Sequence, residues 1–392
     1  MEDNNYIEKV LEETAKFLDI SDELFNKANA EYKALGDWIN EETKKSQSNY
    51  KVSVYPQGSL ALGTVIKPLS DEDDYDLDFV CELSGINLNA RDLKIQVVKP
   101  WLENYKDTIL LESKKRCWHV EYKALPQFHM DVVPAKKPSD ENEQIFITNK
   151  IDVEHYIYIT SNPVGYRDWF FERCKDSFQL MSESQDNKLL IEKADIEYLR
   201  RHKLKTSLQR SIQLLKRHRD IMFNDYPDST ASSDGISKDD KPISIIITTL
   251  AAQLYNNDGS IVNTITSFLS NVESYLKENM RGDIYHVDNP SNKNENFADK
   301  WRSKPNRQRA FFTWLEQAKK DFDINKLKSM DRINILNHIK IKFGENLGLK
   351  VIKEIALAEK QEIKERKLCV DTSTGSLSKF GTIIVPLNHH YD

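Results

Sequence analysis

Cysteine is scarce in this chain. Cys81, Cys117, Cys174 and Cys369 are spread over 392 residues with no Cys-x-x-Cys pair. That spacing argues against a zinc site or a disulfide framework and suits a reducing compartment, the cytoplasm. Long apolar runs are also lacking. The longest, around Ile243 to Tyr255, is interrupted by Ser and Thr and is too short to span a bilayer, so no membrane association is expected. The acidic start Met1-Glu2-Asp3-Asn4-Asn5 has no signal-peptide pattern, and no internal repeat is found. Positive charge is in deficit, with a net charge of −6 and a pI near 5.9. The field of the whole chain therefore gives no drive toward long nucleic acid.

What is present suits an α+β protein of two lobes around a shared cleft, since 392 residues with 39 % hydrophobic content exceed one ordinary domain. Apolar spacing predicts helices over 5–18 and 22–46, the second capped by Ser21. A turn and strands follow over 52–82, a helix over 89–105, strands over 118–124 and 127–134, and a charged loop from Lys136 to Glu143. Asn162-Pro163-Val164-Gly165 is turn chemistry leading into Tyr166, Trp169, Phe170 and Phe171, whose spacing favours core packing over base stacking. A long helix is expected from about 190 to 223, with Leu204, Leu208, Ile212, Leu215 and Met222 on one stripe. Its basic residues, Arg200, Arg201, Lys203, Lys205, Arg210, Lys216, Arg217 and Arg219, form a run of the kind that usually faces water, with Lys216 and Arg219 set apart as candidates for phosphate because they end a strongly amphipathic stretch just before Ser244. The polar stretch Asp225 to Lys241 reads as a mobile loop. Helices near 243–256, 261–280, 306–322, 331–342 and 350–366 complete a helical lobe. The expected division is 1–190 and 191–392, with a tail from about 369 whose strand-like 381–385 folds back on the body.

The chemistry concentrates between residues 55 and 134. Tyr55-Pro56-Gln57-Gly58-Ser59 leads through Gly63-Thr64 to Asp74-Tyr75-Asp76-Leu77-Asp78-Phe79-Val80. Along a strand, Asp76 and Asp78 point one way while Leu77, Phe79 and Cys81 point the other. Two adjacent carboxylates repel unless a cation lies between them, and Mg²⁺ takes carboxylate oxygens while keeping places for phosphate. Asp131 projects opposite the apolar row Phe128, Met130 and Val132. A neighbouring strand placing it beside Asp76 and Asp78 would complete a site for two metal ions and in-line phosphoryl transfer. Ser59, directly after Gly58, leaves room for phosphate against turn amides. His129 beside Asp131 is expected to be structural, as is Gly63.

The segment from Gln57-Gly58-Ser59 through Asp78, with Asp131 after it, resembles the polymerase-β-type nucleotidyltransferases. Within them the chain looks most like the bacterial cGAS/DncV-like enzymes (CD-NTases) of CBASS antiphage systems. That narrower likeness rests on Leu208-Gln209-Arg210, Leu214 through Asp220, Lys241 through Leu250, Asp288-Asn289-Pro290 and Glu295-Asn296. The resemblance implies a polymerase-β-like core with a mixed sheet, a mainly helical C-terminal lobe, and synthesis of a cyclic di- or trinucleotide messenger from nucleoside triphosphates. By motif match it implies catalytic, metal-holding Asp76, Asp78 and Asp131, and nucleotide-binding Gln57, Gly58, Ser59, Lys216, Ser244 and Asp288. Ser244 also stands where a helix cap would. Two Mg²⁺ ions, or Mn²⁺ in their place, a monomer, and a separate effector protein that reads the product are further implications. Two other readings stay open: a template-independent RNA nucleotidyltransferase, and a nucleotide-binding sensor without turnover.

Overall fold

In the computed structural model the described residues are 2–45, 50–70, 75–105, 108–122, 125–138, 144–182, 204–228, 235–365, 369–370, 377–378 and 383–384. Strands β1 (Lys51–Pro56), β2 (Tyr75–Ser84), β3 (Thr108–Ser113), β4 (Trp118–Tyr122), β5 (Leu125–Lys136), β6 (Ile145–Lys150) and β7 (Tyr156–Ser161) form one mixed sheet. Its order is β1-β2-β5-β4-β3, and β6 and β7 extend it from the far end of β5. Only β2 and β5 run parallel; the other pairs are antiparallel. The alternation read from sequence is what the sheet uses. Leu77, Phe79 and Leu83 of β2 join Met130 and Val132 of β5 in one core with Phe25, Leu35 and Ile39 of the helix Asp22–Lys45. Ser21 caps that helix, accepting from the Leu24 amide at 3.2 Å.

The helical lobe is wrapped around the helix Ser207–Asn224, which is buried on nearly every side, from Leu208 and Ile212 to Lys216 and His218. A helix with so many buried faces has no single stripe, which is the pattern of a core helix. The expected start near 190 lies outside the described residues, as does the division at 190/191. The helix itself begins only at Ser207. Thr206 is extended and forms a capping box with Gln209, which halts the helix on its N-terminal side. The first helix, Glu2–Phe17, packs into this lobe through Ile7, Val10, Leu11 and Ala15. Asn162 caps the helix Pro163–Arg173, accepting from the Gly165 amide, so the expected turn is a helix start. The expected loop 225–241 is partly packed, since Ile236, Ser237 and Asp240 are buried; residues 229–234 lie outside the described set. In the tail, Cys369–Val370 pairs with both Leu377–Ser378 and Ile383–Ile384.

Candidate active site

Parallel pairing of β2 with β5 sets Asp78 directly opposite Asp131, and Asp76 opposite His129. The apolar neighbours Leu77, Phe79, Met130 and Val132 are buried on the other face, so the three carboxylates share the open one. Burial first, and then the charges of Asp131 and Asp76, push the Asp78 carboxyl up to about 7, with Lys114 and Lys216 opposing the rise. Asp131 is clamped. Lys114 Nζ donates to both its oxygens at 3.1 Å, and His119 Nδ1 lies 2.7 Å from Oδ1. Burial alone would lower the Lys114 ammonium, but contact with Asp131 outweighs it and the net shift is upward. Among the described residues no three His, Cys, Asp or Glu side chains are already gathered as a cation site. Lys114 and His119 supply the positive partners instead. The donor set itself, carboxylate oxygens with an uncompensated repulsion at Asp78, fits a hard divalent cation.

The turn before β2 is built around Asp78. The Gln57 amide donates to the Asp78 carbonyl at 2.8 Å, and the short helix Gly58–Leu62 follows. Gly58 has φ +60°, and a Cβ there would stand 2.6 Å from Asp78 Oδ2, so this position requires glycine. Gly63, at φ +67°, ends the helix in the left-handed region. Across the cleft, the buried Lys216 donates from Nζ to the Thr64 carbonyl at 2.8 Å. Burial, and then Arg219, pull its ammonium down to about 7. Arg219 donates to the Pro242 carbonyl at 2.9 Å and to Ser244 Oγ at 3.0 Å. The cap of the following helix, Ser244–Gln253, is Ile243, so Ser244 is its first helical residue and not its cap. Gly58, Ser59, Asp76, Asp78, Lys216 and Ser244 line one cleft of about 490 Å³.

A second cleft of about 360 Å³ shares Gln57, Gly58 and Asp78 with this turn and extends to Tyr166, Asn289 and Glu295. Asp288 lines neither cleft. In the hairpin of Asp288–Asn289 with Asn292–Asn296 it pairs with Arg281 and His286 instead, while its neighbour Asn289 donates to Glu295 at 2.9 Å. The register shifts between Asp288 and Asn289, and Asn289 is the one of the two that lines the second cleft. Sequence reasoning passed over Lys114 and His119. The signal for His119 was its place on β4 directly opposite Asp131, which needs the sheet order to be seen.

Residues 52–134 match the family described as "Cyclic GMP-AMP synthase DncV-like, nucleotidyltransferase domain". A c-di-GMP synthase of Roseivirga ehrenbergii is 28 % identical over 352 residues, spanning 88 % of this chain and 86 % of that one. The CD-NTase CdnG of Bradyrhizobium diazoefficiens, solved in complex with GTP, superposes with a TM-score of 0.68 at 20 % identity, over 89 % of this chain and 99 % of that one. The Vibrio cholerae cyclic AMP-GMP synthase DncV, a prokaryotic cGAS homolog, superposes with a TM-score of 0.54 at 15 % identity, over 84 % and 92 %. The shared fold is a polymerase-β-like nucleotidyltransferase core joined to a helical lobe.

Proposed function

We propose that this chain, a nucleotidyltransferase of the DncV-like CD-NTase group, joins nucleoside triphosphates into a cyclic di- or trinucleotide with release of pyrophosphate. The observation that carries this reading is the pair of clefts meeting at Gly58 and Asp78, with Asp131 in register beside them. One cleft offers cationic and hydroxyl groups for a donor triphosphate; the other has room for an acceptor nucleoside. The names of the relatives, a c-di-GMP synthase and a cyclic AMP-GMP synthase, support the same chemistry.

In this reading Asp76, Asp78 and Asp131 hold two divalent cations, Mg²⁺ or in its place Mn²⁺. Bound there, the ions would neutralise charge on the phosphates. Gln57, Gly58 and Ser59 receive the donor phosphates from below, and Lys216 and Ser244 from the helical side. Asp131 takes the proton of the acceptor ribose hydroxyl, whose oxygen attacks the α-phosphorus as pyrophosphate leaves. A second round closes the ring. The product is a messenger for a separate effector in antiphage (CBASS) defence, made in the cytoplasm by a monomer. No described helix is long and apolar enough to cross a membrane.

Labelled nucleotides incubated with the protein and Mg²⁺, then treated with phosphatase, test the reading. A small phosphatase-resistant product is expected. Label on the 3′ end of added RNA, with no such product, would assign the RNA-transferase reading instead.

A further inference from the structure

Leu62 and residues 64–68, which follow the Gly58–Ser59 turn, line one side of the first cleft. Residues 64–68 belong to no helix or strand, so no backbone ladder holds them. Five of the seven carbonyls in 62–68 accept instead from side chains of the helix Ser207–Asn224. Gln209 Nε2 donates to Leu62 at 2.8 Å and Gln213 Nε2 to Val65 at 2.7 Å. Lys216 donates to Thr64, and Arg217 to Lys67 and Pro68. Positions 209, 213, 216 and 217 fall on one stripe of a helix, so one polar stripe reads one stretch of backbone. Both glutamines are buried, and neither lines the first cleft. Gln213 is fully engaged. Its Nε2 also donates to Asp19 Oδ1 at 2.9 Å, and its Oε1 accepts from Arg210 at 3.2 Å. Both partners of that nitrogen can only accept, which fixes the orientation of the carboxamide. Gln209 Oε1 accepts from the Thr206 amide in the capping box, which leaves its Nε2 for Leu62.

We infer that Gln209 and Gln213 are positioning residues for the donor triphosphate. They hold residues 62–68, and with them the Gly58–Ser59 turn, at one spacing from Lys216 and Ser244. The inference rests on the synthase reading, which gives the first cleft to the donor. A triphosphate gripped by the turn on one side and by the helical lobe on the other needs a fixed gap between the two. The Thr64 amide donates to the Ser59 carbonyl at 2.9 Å, so fixing residues 62–68 also fixes the turn. Lys216 is a poor sole anchor because its ammonium must also meet phosphate. The two carboxamides have no ligand to serve.

A 2′,3′-dideoxynucleoside triphosphate has no ribose hydroxyl and can act only as donor; a nucleoside 5′-monophosphate has no pyrophosphate to lose and can act only as acceptor. Varying each against saturating amounts of the other gives separate donor and acceptor KM values. Gln213→Met keeps the side-chain volume and removes the donor group. Gln209→Glu keeps an acceptor for the capping box while removing the donor to Leu62, so the helix start survives. Both variants should raise donor KM about tenfold, the scale of one buried hydrogen bond lost with its acceptor left bare. Acceptor KM and kcat at saturation should stay near the parent's. Ser207→Ala is the control, since it removes a buried hydroxyl of the same helix that bonds Tyr255. It should lower the melting temperature without moving donor KM. An unchanged donor KM in both glutamine variants overturns the inference, as does a rise matched in acceptor KM or in Ser207→Ala. If the parent forms no linkage, calorimetry with the dideoxy triphosphate and Mg²⁺ decides. Weaker binding in the two glutamine variants alone leaves the positioning role standing while the synthase reading falls. Equal binding in all four proteins overturns the positioning role as well.

Discussion

At Asp78 a proton and a divalent cation compete for one carboxylate. Its folded-state pKa, pushed up to about 7 by burial and by Asp131 and Asp76, lies above the ordinary carboxylate value. The stabilising contribution of the protonated form is therefore complete below that ordinary value and is lost as pH rises through about 7. Cation binding needs the ionised form, so apparent Mg²⁺ affinity should climb about tenfold per pH unit below 7 and level off above it. Mg²⁺ titrations followed by thermal melting across that range check this, and a pH-independent midpoint would take Asp78 out of the cation site. Replacing both Asp76 and Asp78 by Asn should abolish product without lowering the metal-free melting temperature, because it also removes their repulsion. Substantial turnover by a well-folded double variant would contradict the assignment. Gly58→Ala is a third case. Its new methyl meets the Asp78 carboxylate in a backbone region that costs an alanine about 1–2 kcal/mol. Activity should fall by far more than that stability loss implies, and equal, small effects on both would separate the turn from the chemistry.

Among the elements, β2 and β5 were legible and the basic helix was not. Alternation in Asp76-Leu77-Asp78 and in Met130-Asp131-Val132 told which side chains share a face, because a half-buried strand writes its exposure into sequence with period two. The helix Ser207–Asn224 is surrounded, so its periodicity says little, and its cations are used inward. Lys216 and Arg217 donate to the carbonyls of Thr64, Lys67 and Pro68, and Lys205 and Arg210 pair with Asp19. A backbone carbonyl acceptor leaves no mark on composition, so the usual expectation of a solvated face failed here. Lys94 is the same case in the core of the sheet lobe. It lies on the helix run Ala90–Asp92, Leu93–Val98 and Lys99–Asn104, fully buried, and donates to the carbonyls of Lys114, Lys115 and Cys117. That loop carries both Lys114, which clamps Asp131, and Arg116, which lines the second cleft. Lys94→Met should cost on the order of 3 kcal/mol in urea unfolding, because three carbonyls, that of Cys117 buried and those of Lys114 and Lys115 partly buried, lose their donor together. It should also slow turnover. A variant with parental stability would mean the loop is held by other contacts.

Across the whole molecule, a mixed sheet carrying the aspartates and a mainly helical remainder followed from sequence, while the walls of the cleft did not. Asp288 matched a motif yet faces Arg281, and Glu295, seven residues on, lines the cavity. Such placements depend on how a hairpin of the helical lobe meets the sheet, a long-range relation that local pattern does not encode. The same whole-molecule view separates the synthase from an RNA-extending enzyme. A protein that holds a long strand needs a continuous basic surface, and its binding weakens steeply with salt as phosphate counterions are released. This chain has a net charge of −6, and the cations that face its clefts are grouped around cavities of nucleotide size. Product formation from triphosphates alone should therefore be insensitive to added RNA or DNA and only weakly sensitive to monovalent salt. A linear 5′-triphosphorylated dimer should precede the ring, since the intermediate must turn so that its own triphosphate reaches the donor cleft before closure. Rapid-quench sampling with labelled nucleotides would reveal that dimer rising and falling ahead of the phosphatase-resistant product. Extension of an RNA 3′ end under conditions where no dimer appears would reverse the assignment of the two clefts.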